Sequence, residues 1–167
     1  PISGRRSARD FSKWTCCIHQ GKFSFSILAD MVREIGGTAV EVHALVGPNA
    51  DAHVFEPSPA DARRLATADL VVVNGLGFEG WLDRLVQASG YRGAVRVASK
   101  GVAVRTLGHG PDPHAWQDLA NAQRYVANLM NALIKAQPSD AAQIQGLAAR
   151  YTSRLQVLDR EVRARFD

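Results

Sequence analysis

The sequence predicts an α/β fold: a parallel sheet flanked by helices, then one long C-terminal helix. Three observations carry this. Helix-patterned and strand-patterned segments alternate from residue 25 to about residue 106, an order that builds parallel sheets covered by helices. Residues 69–75, DLVVVNG, form a short continuous apolar run, the mark of a strand buried on both faces. Residues 139–166 carry one apolar stripe from end to end, the pattern of a single amphipathic helix.

In FSILADMVREIGG (25–37), Ile27, Leu28, Met31, Val32 and Ile35 fall on one helical face, and Gly36-Gly37 stops the helix. Ser24 or Ser26 is the candidate cap. TAVEVHALV (38–46) alternates with β-branched residues and reads as a strand. SPAD (58–61) opens a helix running to about Thr67, with Ser58 as cap, Pro59 at the first helical position and Asp61 completing a capping box. LGFEGWLDRLVQASG (76–90) reads as a helix ended by Gly90. AVRVAS (94–99) and VAVRT (102–106) read as further strands. A helix follows from roughly Asp118 to Ala136, and Pro138 interrupts the chain. Ser139 is the candidate cap of the last helix. Its stripe is Ile144, Leu147, Tyr151, Leu155, Leu158, Val162 and Phe166. A helix of that length spans roughly 40 Å at about 1.5 Å per residue, and its far end should overhang a single lobe.

The composition, 46% hydrophobic and 22% charged, is that of a globular domain. No run of about 18 apolar residues is present, so no membrane-spanning helix is expected. The net charge of +4 resides entirely in residues 1–22; the remainder is balanced, which argues against a nucleic-acid face. Cys16 and Cys17, the only cysteines, are adjacent and lack zinc-ligand spacing. Residues 1–22 have a basic start but no apolar run, so they do not read as a signal peptide or as a first strand.

Two loops carry histidines. GPNADAHVFEPSPAD (47–61) holds His53 among Pro48, Pro57 and Pro59, and GHGPDPHAW (108–116) holds His109 and His114. In a parallel sheet, ligands bind where loops leave the carboxyl ends of strands. His53 follows the strand 38–46 and His114 the strand 102–106, so both loops should open on one rim. Two neutral imidazoles meeting there suit Zn²⁺, Mn²⁺ or a related ion. Asp51, Glu56, Asp112 and Asp118 are the candidates to orient the rings or assist them. A histidine in a loop is more often a solvated surface residue, and His109 is either that or an auxiliary metal contact. His43, inside a strand, reads as structural, and His19 has no assigned role. NGLGFEG (74–80) lacks the Lys and Ser/Thr of a phosphate-binding loop, so its glycines read as turn devices. Trp81 reads as core; Trp116 reads as core or as a lobe-interface residue.

FSILADMVREIGG, LVGPNADAHVFEPSPAD, ADLVVVNGLGFEGWLD and DPHAWQD, in that order, resemble the zinc- and manganese-binding solute receptors of bacterial metal ABC transporters. That family includes zinc-uptake periplasmic proteins and lipoproteins once called adhesins. The resemblance covers roughly residues 23–167. It implies two α/β lobes joined by a long rigid helix, with metal held between the lobes and passed to a membrane permease. It assigns His53 and His114 as the two metal ligands of the N-terminal lobe, and 138–167 as the start of the linking helix. A third and a fourth ligand come from the second lobe. His109 stands where many zinc members carry a histidine-rich loop. The expectation is an incomplete chain: an atypical leader at 1–22, the N-terminal lobe at 23–137, the linker helix at 138–167, and no C-terminal lobe. A periplasmic location follows from the resemblance alone. The alternatives are a metal-dependent hydrolase using His53 and His114 with Glu56 as base, an adhesion-type interaction protein, and a non-functional fragment. The stripe on the last helix raises self-association as an expectation.

Overall fold

The computed structural model describes residues 18–166; the expectations for Cys16, Cys17 and the first seventeen residues of the leader lie outside them. The strands and helices run β1 (Ile18–Phe25), α1 (Ser26–Gly36), β2 (Val40–Val46), α2 (Pro59–Ala66), β3 (Leu70–Val73), α3 (Leu82–Ser89), β4 (Val95–Val97), β5 (Thr106–Leu107), β6 (Gly110–Pro111), α4 (Leu119–Ala136) and α5 (Ala141–Phe166). The first four strands form one parallel sheet in the order β2-β1-β3-β4. Right-handed crossovers in that order put α1 on one face and α2 and α3 on the other. The packing agrees: α1 contacts α4 and α5, while α2 contacts α3. The expected α/β architecture with a long C-terminal helix is therefore what the chain adopts.

All four residues of β3 are buried, as its apolar run requires. α1 buries Leu28, Met31, Val32 and Ile35 on the stripe read from the sequence. Its cap, however, is Phe25, with no side-chain hydrogen bond. Ser24 is fully buried and its hydroxyl has no partner among the described residues, so it caps nothing. The capping box of α2 forms as expected: Ser58 Oγ accepts from Asp61 N–H, and Asp61 Oδ2 accepts from Ser58 N–H. Burial acts to raise the Asp61 carboxyl, but these bonds and the Arg64 charge outweigh it and hold it below its ordinary value.

Four expectations need correction. Residues 18–22 are not outside the fold: they form most of β1, one of the two inner strands. The apolar pattern misses this strand because specific bonds fix its polar start. Gln20 N–H donates to Asp69 Oδ2 at 3.1 Å, Asp69 N–H donates to the Gln20 carbonyl at 3.1 Å, and Thr67 Oγ1 donates to Gln20 Oε1 at 2.9 Å. The helix expected over 76–90 begins only at Leu82. Residues 74–81 instead make a tight turn with positive φ at Gly75, Leu76 and Gly77. Gly90 ends α3 in the left-handed conformation as anticipated. The strand expected over 102–106 is not in the sheet: Thr106–Leu107 pairs only with Gly110–Pro111, in a small antiparallel hairpin. Lastly, Ser139 Oγ donates to the Asp140 carboxylate, within a short 3₁₀ turn at Pro138–Asp140 that precedes α5.

α5 packs on α1 and α4 as far as Leu155, burying Ile144, Ala148 and Leu155. Arg154 ties it to Glu34 of α1 at 2.7 Å. Beyond that point Val157, Leu158, Val162 and Phe166 are exposed.

Lys22 is the outlier of the sheet. It is 4% exposed on an inner strand, and its ammonium has no hydrogen-bond or ion-pair partner among the described residues. Loss of hydration holds its ammonium below the ordinary lysine pKa, against the raising effect of Glu41 and Asp69. The unfolded chain therefore binds this proton more tightly. The folding penalty is fully present below the folded-state pKa and is relieved as pH rises toward the ordinary lysine value. Lys22→Met should raise the urea midpoint of unfolding at neutral pH. That advantage should narrow as pH rises toward about 10.4. A Lys22→Met protein no more stable than the parent at pH 7 would show that partial desolvation of the ammonium costs nothing.

Candidate metal centre

The two histidine loops are built alike. In the loop after β2, Asp51 Oδ1 accepts from His53 N–H at 2.8 Å. In the loop after the hairpin, Asp112 Oδ1 accepts from His114 N–H at 3.0 Å. Each is an aspartate turn two residues long, ending on an imidazole. Asp112 does more: its Oδ1 also lies 2.9 Å from His114 Nδ1. With Nδ1–H donating to that carboxylate, Nε2 of His114 carries the free lone pair. The backbone N–H of His114, and then its ring, hold the Asp112 carboxyl below its ordinary range.

The structure brings His53 and His114 together. Their Nε2 atoms are 3.2 Å apart across 61 residues of sequence. For a tetrahedral ion with Zn–N bonds of about 2.0–2.1 Å, neighbouring nitrogens are about 3.3 Å apart. The pair thus has the separation of two corners of a metal shell. In the absence of an ion the same separation suits one N–H···N hydrogen bond. An aromatic wall stands behind them. Phe78 meets His53 edge-on at 4.5 Å and Trp116 meets His114 at 5.4 Å. Phe25, Phe78 and Trp116 touch one another at 4.7–5.1 Å. Such a wall excludes water from one side of the pair.

The other candidates do not join them. Among the described residues no group of three or more His, Cys, Asp or Glu converges as a metal shell. Glu56 is exposed and forms no metal-holding group with the pair among the described residues. His109 is exposed in the turn of the β5–β6 hairpin. Asp118 is the cap of α4, accepting from the N–H groups of Ala120 and Asn121. Asp51 reaches the backbone of His53 rather than its ring. His43 contacts Glu41 at 2.8 Å on the exposed side of β2.

Sequence reasoning missed the polar groups beneath the loops. Asn74, fully buried, donates from Nδ2 to the Pro113 carbonyl at 2.8 Å, and Tyr125 O–H donates to Asn74 Oδ1 at 2.6 Å. Burial pushes the Tyr125 phenol well above its ordinary pKa, so it remains a donor. The Glu79 carboxylate accepts from the N–H groups of Asn74, at 2.6 Å, and Gly75, at 3.1 Å. Trp81, core as expected at 2% exposed, also donates Nε1–H to the Ala52 carbonyl at 2.7 Å. The only signal for these roles is the glycine-rich stretch NGLGFEGW itself.

Comparison with known proteins gives one consistent picture. Residues 23–167 match the family model for the periplasmic zinc-uptake complex component A; the sheet itself starts earlier, at Ile18. The manganese-binding lipoprotein MntA of Halalkalibacterium halodurans is 36% identical over 137 residues, which are 81% of this chain and 46% of that protein. The iron-binding protein YfeA of Yersinia pestis is 28% identical over 147 residues, covering 85% of this chain and 47% of that protein. The manganese-bound periplasmic metal-binding protein of Candidatus Liberibacter asiaticus superposes with a TM-score of 0.76 at 28% identity, over 81% of this chain and 52% of that one. The chain thus spans about half the length of the curated relatives it matches.

Proposed function

Because this chain belongs to the periplasmic zinc-uptake complex component A family, we propose that it captures a divalent metal ion for a membrane ABC permease of a metal importer. His53 and His114 are the metal ligands it contributes. The single observation behind this reading is the 3.2 Å approach of their Nε2 atoms. Residues 23–137 act as the N-terminal lobe of the receptor and 138–167 as the start of its linking helix. The further ligands come from the second lobe that the family resemblance implies. Its place of action is the periplasm.

Zinc is the proposed cargo and manganese the alternative. Imidazole nitrogen suits zinc well, yet relatives are named for manganese and for iron. The half shell on this lobe is compatible with any of them. A receptor of this kind has no bond to break. It must hold a partly dehydrated ion and then give it up, and a shell divided between two bodies permits release when they separate.

Titration of the chain with Zn²⁺ against a competing chelator tests the site. His53→Ala and His114→Ala should each weaken binding by more than the roughly 10–100-fold typical of losing an outer hydrogen-bond partner. One-to-one binding of unchanged strength in both variants would refute the assignment. The exposed apolar stripe Val157, Leu158, Val162 and Phe166 supports a second expectation, self-association through α5. Sedimentation velocity should show a concentration-dependent dimer that Leu158→Glu with Val162→Glu abolishes. A parent chain that stays monomeric at every concentration would exclude it.

A further inference from the structure

The carbonyl preceding each histidine is held by a buried N–H donor, and both donors come from one turn. Ala52 precedes His53, and its carbonyl accepts from Trp81 Nε1 at 2.7 Å. Pro113 precedes His114, and its carbonyl accepts from Asn74 Nδ2 at 2.8 Å. Asn74 and Trp81 are the two ends of the β3–α3 turn, residues 74–81. Between them Phe78 touches both imidazoles, with ring centroids 4.5 Å from His53 and 5.9 Å from His114.

We propose that this turn is a clamp that sets the His53–His114 spacing, with Asn74 and Trp81 as positioning residues for metal capture. The proposal rests on the assignment of those two histidines as ligands.

The turn is rigid enough for the task. Its backbone is pulled inward by Glu79, whose two carboxylate oxygens accept from Asn74 and Gly75 N–H. Gly75 has φ of +85°, and a Cβ there would lie 2.6 Å from Val97 Cγ1, so the turn sits hard against β4. Leu76 holds φ of +57°, a strained value for a side-chain-bearing residue that only a well-determined surrounding sustains. Asn74 is fixed in turn by Tyr125 O–H on α4. Two loops held independently would let the Nε2–Nε2 distance vary as each loop moves. Two loops held by one rigid segment share their displacement, so the distance is preserved. Preorganised spacing strengthens binding because less ordering remains to be done when the ion arrives.

The test uses the whole chain and Zn²⁺ with a competing chelator, with Co²⁺ as a spectroscopic probe. Trp81→Phe keeps an aromatic ring in the core but removes the donor to Ala52. Tyr125→Phe leaves the core packed but releases Asn74. Each variant, confirmed folded by circular dichroism, should bind Zn²⁺ about tenfold more weakly and show an altered visible spectrum with Co²⁺. In a His53→Ala background neither change should cost further affinity, because a single histidine has no spacing to maintain. Folded Trp81→Phe and Tyr125→Phe proteins that match the parent, while His53→Ala and His114→Ala lose metal, would overturn the clamp and leave the ligand assignment standing. Unchanged binding in the histidine variants would overturn both. A loss of affinity as large with His53 absent as with it present would also overturn the clamp, since the effect would then be general.

Discussion

Parallel strands release their following loops at one edge of the sheet, and the candidate site depends on that constraint. β2 and β3 run in the same direction on either side of β1. Their loops therefore emerge at a common rim, carrying His53 from one and the turn at 74–81 from the other. The third contributor, the segment ending in His114, does not come from a sheet strand. It reaches the rim because Asn74 holds its backbone there. Without the parallel order, residues 61 apart in sequence would have no reason to meet at 3.2 Å.

The candidate site presents imidazoles at its surface and is supported by buried polar side chains below. Asn74, Glu79 and Tyr125 form a connected set of side chains inside the lobe. Such groups are costly to bury unless bonded, and bonded they specify a single arrangement. Above them the imidazoles remain accessible, which an ion-capturing surface requires. Asp112 orients His114: it turns the backbone into that residue and holds its ring at Nδ1, while Nε2 faces His53. Two imidazoles on a rigid support supply half of a four-coordinate shell, which is what the proposed role of one lobe asks of this part.

Much of this was visible in the sequence. The α1 stripe apart from the exposed Ile27, the near part of the α5 stripe, the apolar run of β3, the Ser58–Asp61 box and Gly90 are legible because each is a local pattern with a local cause. Topology places His53 on the rim, because its loop follows β2; His114 reaches the same rim without the expected sheet strand at 102–106, through the Asn74 bond to the Pro113 carbonyl. What was not visible had non-local causes. β1 is an inner strand with a polar start, held by Asp69 and Thr67 from 47 to 49 residues away. Residues 76–81 carry a helix-like pattern but fold as a turn because Glu79 binds the backbone behind it, and no periodicity records that bond. The 102–106 segment alternates like a strand, yet the sheet ends at β4. The roles of Asn74 and Tyr125 are fixed by a contact spanning 51 residues.

The most direct test is X-ray absorption at the zinc edge on the chain loaded with one equivalent of Zn²⁺. The account predicts two imidazole ligands at about 2.0–2.1 Å, with oxygen filling the remaining positions. His53→Ala should lower the imidazole count by one. A first shell with sulfur at about 2.3 Å would put the ion on Cys16 and Cys17 instead. That result, or an imidazole signal indifferent to His53 and His114, would contradict the account.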